Sequence, residues 1–240
     1  MRSNEHGQPI GIDLPGWKPP PRPVLSQLAG RWCHLEALTA DHADALFGEV
    51  GGPGREALWT YLADGPHARP EDLRRHVARR LAGPDVHVVV RDEQGVACGL
   101  AALMRIDEPN GVVEVGSIVL GPRLQRTRAA TEAMSLLARH VFDLGYRRYE
   151  WKCDSLNEPS RRAAERLGFR YEGTFRDHVV TKGRSRDTAW FAMTLPQWPW
   201  IRAAHDAWLA PDNFDGGRQR RRLVELLAEA AGGSDTAAAV

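Results

Sequence analysis

The chain has 240 residues, 42% hydrophobic and 26% charged, which is the balance of a globular protein long enough to bury a sizeable core. Lys and Arg number 32 against 31 Asp and Glu, so no global charge marks the chain for nucleic acid or an anionic membrane. Cys33, Cys98 and Cys153 are far apart and form no CxxC pair, which argues against a disulfide framework or a zinc ribbon; with no apolar targeting or membrane-spanning stretch, the expectation is a cytoplasmic protein.

Residues 1–23 are rich in Pro and Gly ("LPGWKPPPRP") and predict an extended arm with Trp17 as its pin. "GRWCHLEAL" alternates as a first strand, and Thr39 caps a predicted helix through "ADHADALFGEV". After the "GGPG" break, "REALWTYLADGP" predicts a short amphipathic helix. In "RPEDLRRHVARRLAG", Pro70 and two acids occupy the first turn of a helix, arginines its last, and Gly83 follows. "VHVVVRDEQGVACGLAALMRI" reads as a hairpin turning around Glu93–Gly95, and "VVEVGSIVL" as a further strand.

Ala130, Ala133, Met134, Leu137, Val141 and Leu144 recur at helical spacing, with Gly145 just past the end. "RRYEWKCDS" predicts a strand, and "NEPSRRAAERLGF" a helix with Asn157 as N-cap and Gly168 as its stop. "RYEGTFRDHVVTKGRSRDTAWFAMT" predicts a closing hairpin turning at Lys182–Arg186. Beyond it, the run Arg218–Arg222, interrupted by Gln219, reads as the solvated face of a terminal helix that frays in "GGSDTAAAV". The division is therefore a Pro-rich arm (1–23), one α/β domain (24–195) and a C-terminal helical extension (196–240).

The segment "GPRLQRTRAATEAM" follows a strand and opens a helix, the setting of an anion site. It is neither a Walker loop nor a dinucleotide fingerprint, because it lacks GK[ST] and GxGxxG. Ala129 and Ala130 keep the helix start uncrowded, and Arg123, Arg126 and Arg128 add charge for a phosphate. The same residues also suit a solvated helix cap with its arginines in water.

Several motifs in order carry a resemblance. Gln125-Arg126-Thr127-Arg128-Ala129-Ala130 follows a strand as [QR]-x-x-G-x-[GA], with Arg128 in place of the first glycine. "CDSLNEPSRRAAERLGFRYEGTFR", "SRDTAWFAM", "LAGRWCHLEAL" and "LWTYLADGP" complete a pattern over roughly residues 24–195. The chain resembles the GCN5-related N-acetyltransferases (GNAT), in particular the branch of ribosomal-protein N-terminal acetyltransferases. That resemblance implies an α/β fold with a mixed, mostly antiparallel sheet, splayed at the cofactor site and flanked by helices. It implies acetyl-CoA as co-substrate and no metal. Ile118, Val119 and Leu120 would pair with the pantetheine arm. The amides of Gln125, Arg126, Thr127, Arg128, Ala129 and Ala130 would hold the pyrophosphate, with Arg123 nearby, and Asn157 would reach the thiol end. Ser160 would protonate the leaving thiolate. Trp59 and Tyr61 have core spacing, but the resemblance places their segment beside the acceptor groove.

Glu114 is the only charge within "VVEVGSIVL". Strand alternation puts it on the face of Gly116 and Ile118, as a partly desolvated carboxylate suited to serve as base; the alternative is an ion pair with an arginine. A backbone N–H near Ile118–Val119 would serve the oxyanion. Cys153 reads as packing, and the lone His140 and His178 as structural or surface residues. The leading reading is transfer of an acyl group to a primary amine by direct attack in a ternary complex. Acceptors would be a protein N-terminus or a small amine, with neither membrane nor nucleic acid as partner. Alternatives are a non-catalytic acyl-CoA sensor and transfer of a longer acyl group such as succinyl. The arm and the extension would pack over the core or form a homodimer contact.

Overall fold

A computed structural model describes the backbone of residues 2–237 and the side chains through residue 232. The arm forms a small hairpin of β1 (Arg2–Ser3) and β2 (Pro9–Ile10). Further along the arm, Trp17 donates to the Pro109 carbonyl at 3.2 Å and covers Gly111, where a Cβ would collide with the indole.

One sheet carries the rest. It is built from β3 (Gln27–Ala29), β4 (Cys33–Ala37), β5 (Val86–Asp92), β6 (Ala97–Asp107), β7 (Val112–Leu120), β8 (Arg148–Asp154), β9 (Arg170–Thr181) and β10 (Arg184–Thr194). Its order is β3-β4-β5-β6-β7-β8-β10-β9, and only β7 and β8 run parallel. α1 (His42–Val50) and α2 (Pro70–Leu81) cover one face, where Leu46, Leu73 and Val89 form a small core. α3 (Arg128–Asp143), α4 (Glu158–Arg166), α5 (Trp198–Leu209) and α6 (Leu223–Ala237) belong to the other, larger core. The chain therefore has a mostly antiparallel α/β sheet flanked by helices. Trp198, Ile201, Trp208 and Leu226 lie in the same core as Leu137 and Phe191, so the residues after 195 are integral to it.

Most elements follow local sequence rules. Pro70 takes the first turn of α2 with Glu71 and Asp72. Thr127 caps α3, accepting from Ala130 N–H, and Gly145 follows the helix at φ 96°. Lys182 and Gly183, at φ 50° and 72°, turn the last hairpin with the twist its strands require. Some expectations are corrected. "REALWTYLADGP" supplies only a single 3₁₀ turn, Glu56–Trp59, with the positive-φ glycines Gly52, Gly54 and Gly65 on either side of it. Asp41, not Thr39, is the N-cap position of α1; Thr39 instead bonds His42 Nδ1 at 2.8 Å. The arginine run precedes α6, with Arg218–Gln219 as strand β12 paired to β11 (Phe214–Asp215). Residues 238–240, part of the expected frayed tail, lie outside the described residues.

Two irregularities position the site. β7 and β8 pair from Val112↔Arg148 to Val115↔Trp151 and no further, although both strands continue, so the sheet opens there. On its other edge, β7 pairs Gly116 with Ala102 and Val119 with Leu100, leaving Ser117 and Ile118 opposite Ala101 alone, with Ser117 at φ 51°. This bulge inverts the alternation. Val113 and Val115 face the α3 core, but beyond the bulge Val119 faces the α1 core and Ile118 packs toward α3. The expected common face of Glu114, Gly116 and Ile118 is thus broken after Gly116.

Candidate active site

A groove of about 1700 Å³ runs through the opening between β7 and β8. One end is lined by the starts of α3 and α4, and the other by Tyr61, Arg105, Glu114 and the β9–β10 hairpin.

At the α3 end, three of the six amides between Gln125 and Ala130 are already used. Gln125 N–H donates to Gly121 O, Thr127 N–H to Leu124 O, and Ala130 N–H to Thr127 Oγ1. Those of Arg126, Arg128 and Ala129 have no acceptor among the described residues and stand at the positive end of the helix dipole. Arg126 holds the left-handed φ of 62° that makes this turn possible. Arg123 points elsewhere: its guanidinium bonds Asp92 at 2.7 Å and also Gln94, tying the loop to the β5–β6 turn. Burial works against the Asp92 carboxylate, but N–H donation from Val96 and the Arg123 contact outweigh it and leave its pKa below the ordinary value. Arg128 is stacked 3.6 Å over the Trp32 ring and 4.8 Å from that of Phe214. Ile118, Val119 and Leu120 lie along the unpaired β7 edge. Free amides and an open strand edge are the donor set that a pyrophosphate and a pantetheine arm require, so the residues present fit CoA.

At the other end, Glu114 is 3% exposed and far from isolated. Its Oε2 accepts from Arg105 at 2.7 Å and lies 3.1 Å from Lys152 Nζ. Lys152 also pairs with Glu150 at 2.8 Å and sits 3.7 Å over the Trp190 ring. Burial raises the Glu150 carboxyl, yet Lys152 and Arg148 more than offset it and hold it below its usual range. A second bulge, with Arg105 at φ 47°, turns that guanidinium toward Glu114. Glu114 Oε1 takes no hydrogen bond from a described residue and faces Gly116, where a Cβ would come within 3.1 Å of it. Glu114 therefore forms an ion pair, and one oxygen remains open.

Between these ends lies Ser160. Its Oγ accepts from Trp151 Nε1 at 3.0 Å, and its backbone N–H is capped by Asn157 Oδ1 at 3.2 Å; Cys153 lies on β8 nearby and lines the same groove. Burial pushes the Cys153 thiol above its ordinary pKa, so it stays protonated. Asn157 spends its side-chain oxygen on the cap, and its Nδ2 has no acceptor among the described residues.

Trp59 is 1% exposed, donates to Val50 O at 2.7 Å and packs edge-on against His67 and His76. It is core, and only its neighbour Tyr61 lines the groove. Lys182, at the tip of the hairpin whose His178, Val179 and Arg186 line the groove, reaches Trp59 O at 2.7 Å and bridges that hairpin to the Glu56–Trp59 turn, whose Leu58 lines the groove too. Sequence reasoning did not single out Arg105, Lys152 and Trp151; the alternation of Glu150, Lys152 and Asp154 on a strand beside β7 was the available signal. It also did not single out Trp32, although "LAGRWCHLEAL" contains it, or Trp208 and Phe214, which lie beyond the resembling motifs.

Residues 33–170 match the family described as the acetyltransferase (GNAT) domain. A GCN5-related N-acetyltransferase from Brucella melitensis is 45% identical, superposes with a TM-score of 0.87, and is matched over 90% of this chain and 100% of that one. The SPbeta prophage-derived uncharacterized N-acetyltransferase YokL of Bacillus subtilis is 26% identical over 123 residues, which are 51% of this chain and 70% of YokL. A Salmonella typhimurium acetyl transferase that modifies the N-terminal serine of ribosomal protein L7/L12 is 21% identical and shares the fold, with a TM-score of 0.59 over 69% of this chain and 96% of that one. The chain belongs to the GNAT family. It is an acyl-CoA-dependent N-acetyltransferase. Among the described residues, no helix is long and apolar enough to cross a membrane.

Proposed function

We propose that the chain transfers an acetyl group from acetyl-CoA to a terminal primary amine by direct attack, with Glu114 and Ser160 on opposite sides of the reacting carbonyl. The observation that carries this reading is the free Oε1 of a buried Glu114 at the β7–β8 opening, with an indole-anchored Ser160 hydroxyl lining the same groove. Arg105 and Lys152 occupy Glu114 Oε2 and leave Oε1 open, so that oxygen can take a proton from the ammonium form of the acceptor, directly or through water. The neutral amine then attacks the thioester carbon, the C–N bond forms and the C–S bond breaks. The departing thiolate receives a proton at sulfur from the Ser160 hydroxyl, which takes in its place the proton that the nitrogen sheds on becoming an amide, directly or through water. A backbone N–H around Ile118–Val119, beside the bulge, would donate to the oxyanion. Cys153, buried and protonated, is a poor nucleophile, which favours a ternary complex over an acyl-enzyme.

The bridge from Lys182 to Trp59 narrows the acceptor end. It admits an amine at the end of a peptide or on a small molecule more readily than a side-chain amine in the middle of a folded surface. The N-terminal serine modified by the Salmonella protein supports a peptide terminus as one such acceptor. Free-thiol release from acetyl-CoA, followed across N-terminal peptides, small amines and α-acetylated peptides carrying only lysine, tests this. Turnover with the first two groups and not the third is expected. Preference for internal lysine overturns the acceptor class. CoA binding without turnover on any amine makes the chain an acyl-CoA sensor instead.

A further inference from the structure

At its donor end, the groove is closed by residues outside the 33–170 family segment. Trp32 comes from the N-terminal side, and Trp208 and Phe214 from the C-terminal one. Phe214 packs edge-on against Trp208, with centroids 5.1 Å apart. Arg128 lies over Trp32 and Phe214, and Arg166 lies 4.7 Å over Trp208 while donating to Thr131 Oγ1 at 3.0 Å. Neither arginine has a carboxylate partner among the described residues, in a chain where most arginines are paired. Burial lowers the Arg166 pKa, as it does for a cation without counter-charge. Trp32 Nε1 is buried without a partner. The platform under Arg128 is firmly built. Glu132, on the next turn of α3, accepts the N–H groups of Arg31 at 2.8 Å, Trp32 at 2.6 Å and Cys33 at 2.9 Å.

Aromatic faces hold the two guanidinium planes and fix them at little further entropic cost, while their N–H edges stay available. Two such cations next to three unused helix-start amides suit a ligand with two separate phosphate groups. The amides match a pyrophosphate, and the arginines match a phosphomonoester dianion. We infer that Arg128 and Arg166, braced by Trp32, Trp208 and Phe214, bind the 3′-phosphate of the CoA donor and make the enzyme selective for it over 3′-dephospho donors. This inference rests on the CoA-donor reading above. It also explains why an arginine can stand where the family pattern has glycine: its amide remains in the turn and its side chain leaves it.

Calorimetric titration of the full chain with CoA and with 3′-dephospho-CoA separates the possibilities without requiring turnover. The expected result is tighter binding of CoA by roughly ten- to a hundredfold, the scale of charge-assisted hydrogen bonds. Arg128→Ala and Arg166→Gln should each erode that ratio, and the double variant should bring it near one. Affinity for 3′-dephospho-CoA should stay unchanged in all of them, which doubles as the check that they are folded. Phe214→Ala should lower the ratio partway, through lost bracing alone. Equal binding of the two ligands by the wild type, or a ratio that survives in the double variant, overturns the inference while leaving the donor reading intact. Binding of neither ligand overturns both.

Discussion

At the donor end of the groove, Arg128 and Arg166 rest on aromatic rings without counter-charge among the described residues, and the backbone offers amides that none of those residues uses. At the acceptor end, the charges around Glu114 neutralise one another: Arg105, Lys152, Glu150 and Arg148 alternate in sign through contacts of 2.7–3.1 Å. The first arrangement waits for an anion to arrive. The second surrounds a buried carboxyl group with cations, where leaving it unpaired would be costly. Binding should therefore respond to changes at one end and chemistry to changes at the other.

Glu114→Gln is the strongest test of that contrast. It removes the proposed base and leaves Arg105 and Lys152 facing a neutral amide. Steady-state acetylation should lose about a hundredfold or more in kcat, with little change in the KM for acetyl-CoA. A rate near wild type across the pH profile would remove Glu114 from the mechanism. Next in size is Gly30→Ala, on the donor side. The added Cβ would collide with the Glu132 carboxylate and loosen its grip on the amides of Arg31–Cys33. A loss of about 2–4 kcal/mol in urea unfolding is expected, together with weaker CoA binding because Trp32 shifts. Stability without any change in CoA affinity would detach Trp32 from the donor site.

Acidification probes neither end and serves as a baseline. Burial pushes His76 down to about 3 and His205 to about 4, against 6.5 for the free side chain. The unfolded chain therefore binds protons in that window while the folded chain does not, so stability falls as pH drops. Going from pH 7.5 to 5.5 should cost about 2.7 kcal/mol from these two histidines, read from urea midpoints. A flat profile would mean that they are solvated.

Ser160→Ala should lower kcat by about tenfold, less than general acids usually supply because a thiolate leaves readily. Trp151→Phe should reproduce part of that loss, since only the indole N–H is removed from Ser160 Oγ. The smallest effect belongs to Arg126→Gly. Relieving the left-handed φ of 62° should stabilise the fold by about 0.5–1 kcal/mol while weakening CoA binding slightly. Destabilisation would show that the Arg126 side chain does more than tolerate its turn.

The sequence by itself determined what depends on neighbours in the chain. The 3.6-residue spacing from Ala130 to Leu144, the cap at Asn157, the stops at Gly145 and Gly168, and the order of motifs that resembles the family were all legible, because each rests on local backbone chemistry. Tertiary structure decided whatever depends on pairing across the chain. The bulge at Ser117–Ile118 redirected half of β7, since alternation holds only while register does. Trp59 had core spacing and only the resemblance set its segment beside the groove; the fold buried it under His67 and His76. Glu114 was visible as a lone charge in an apolar strand, but its partners come from β6 and β8, whose adjacency no local pattern encodes. Arg128 stood out only as a missing glycine until Trp32 and Phe214, 96 and 86 positions away along the chain in opposite directions, closed on its two sides.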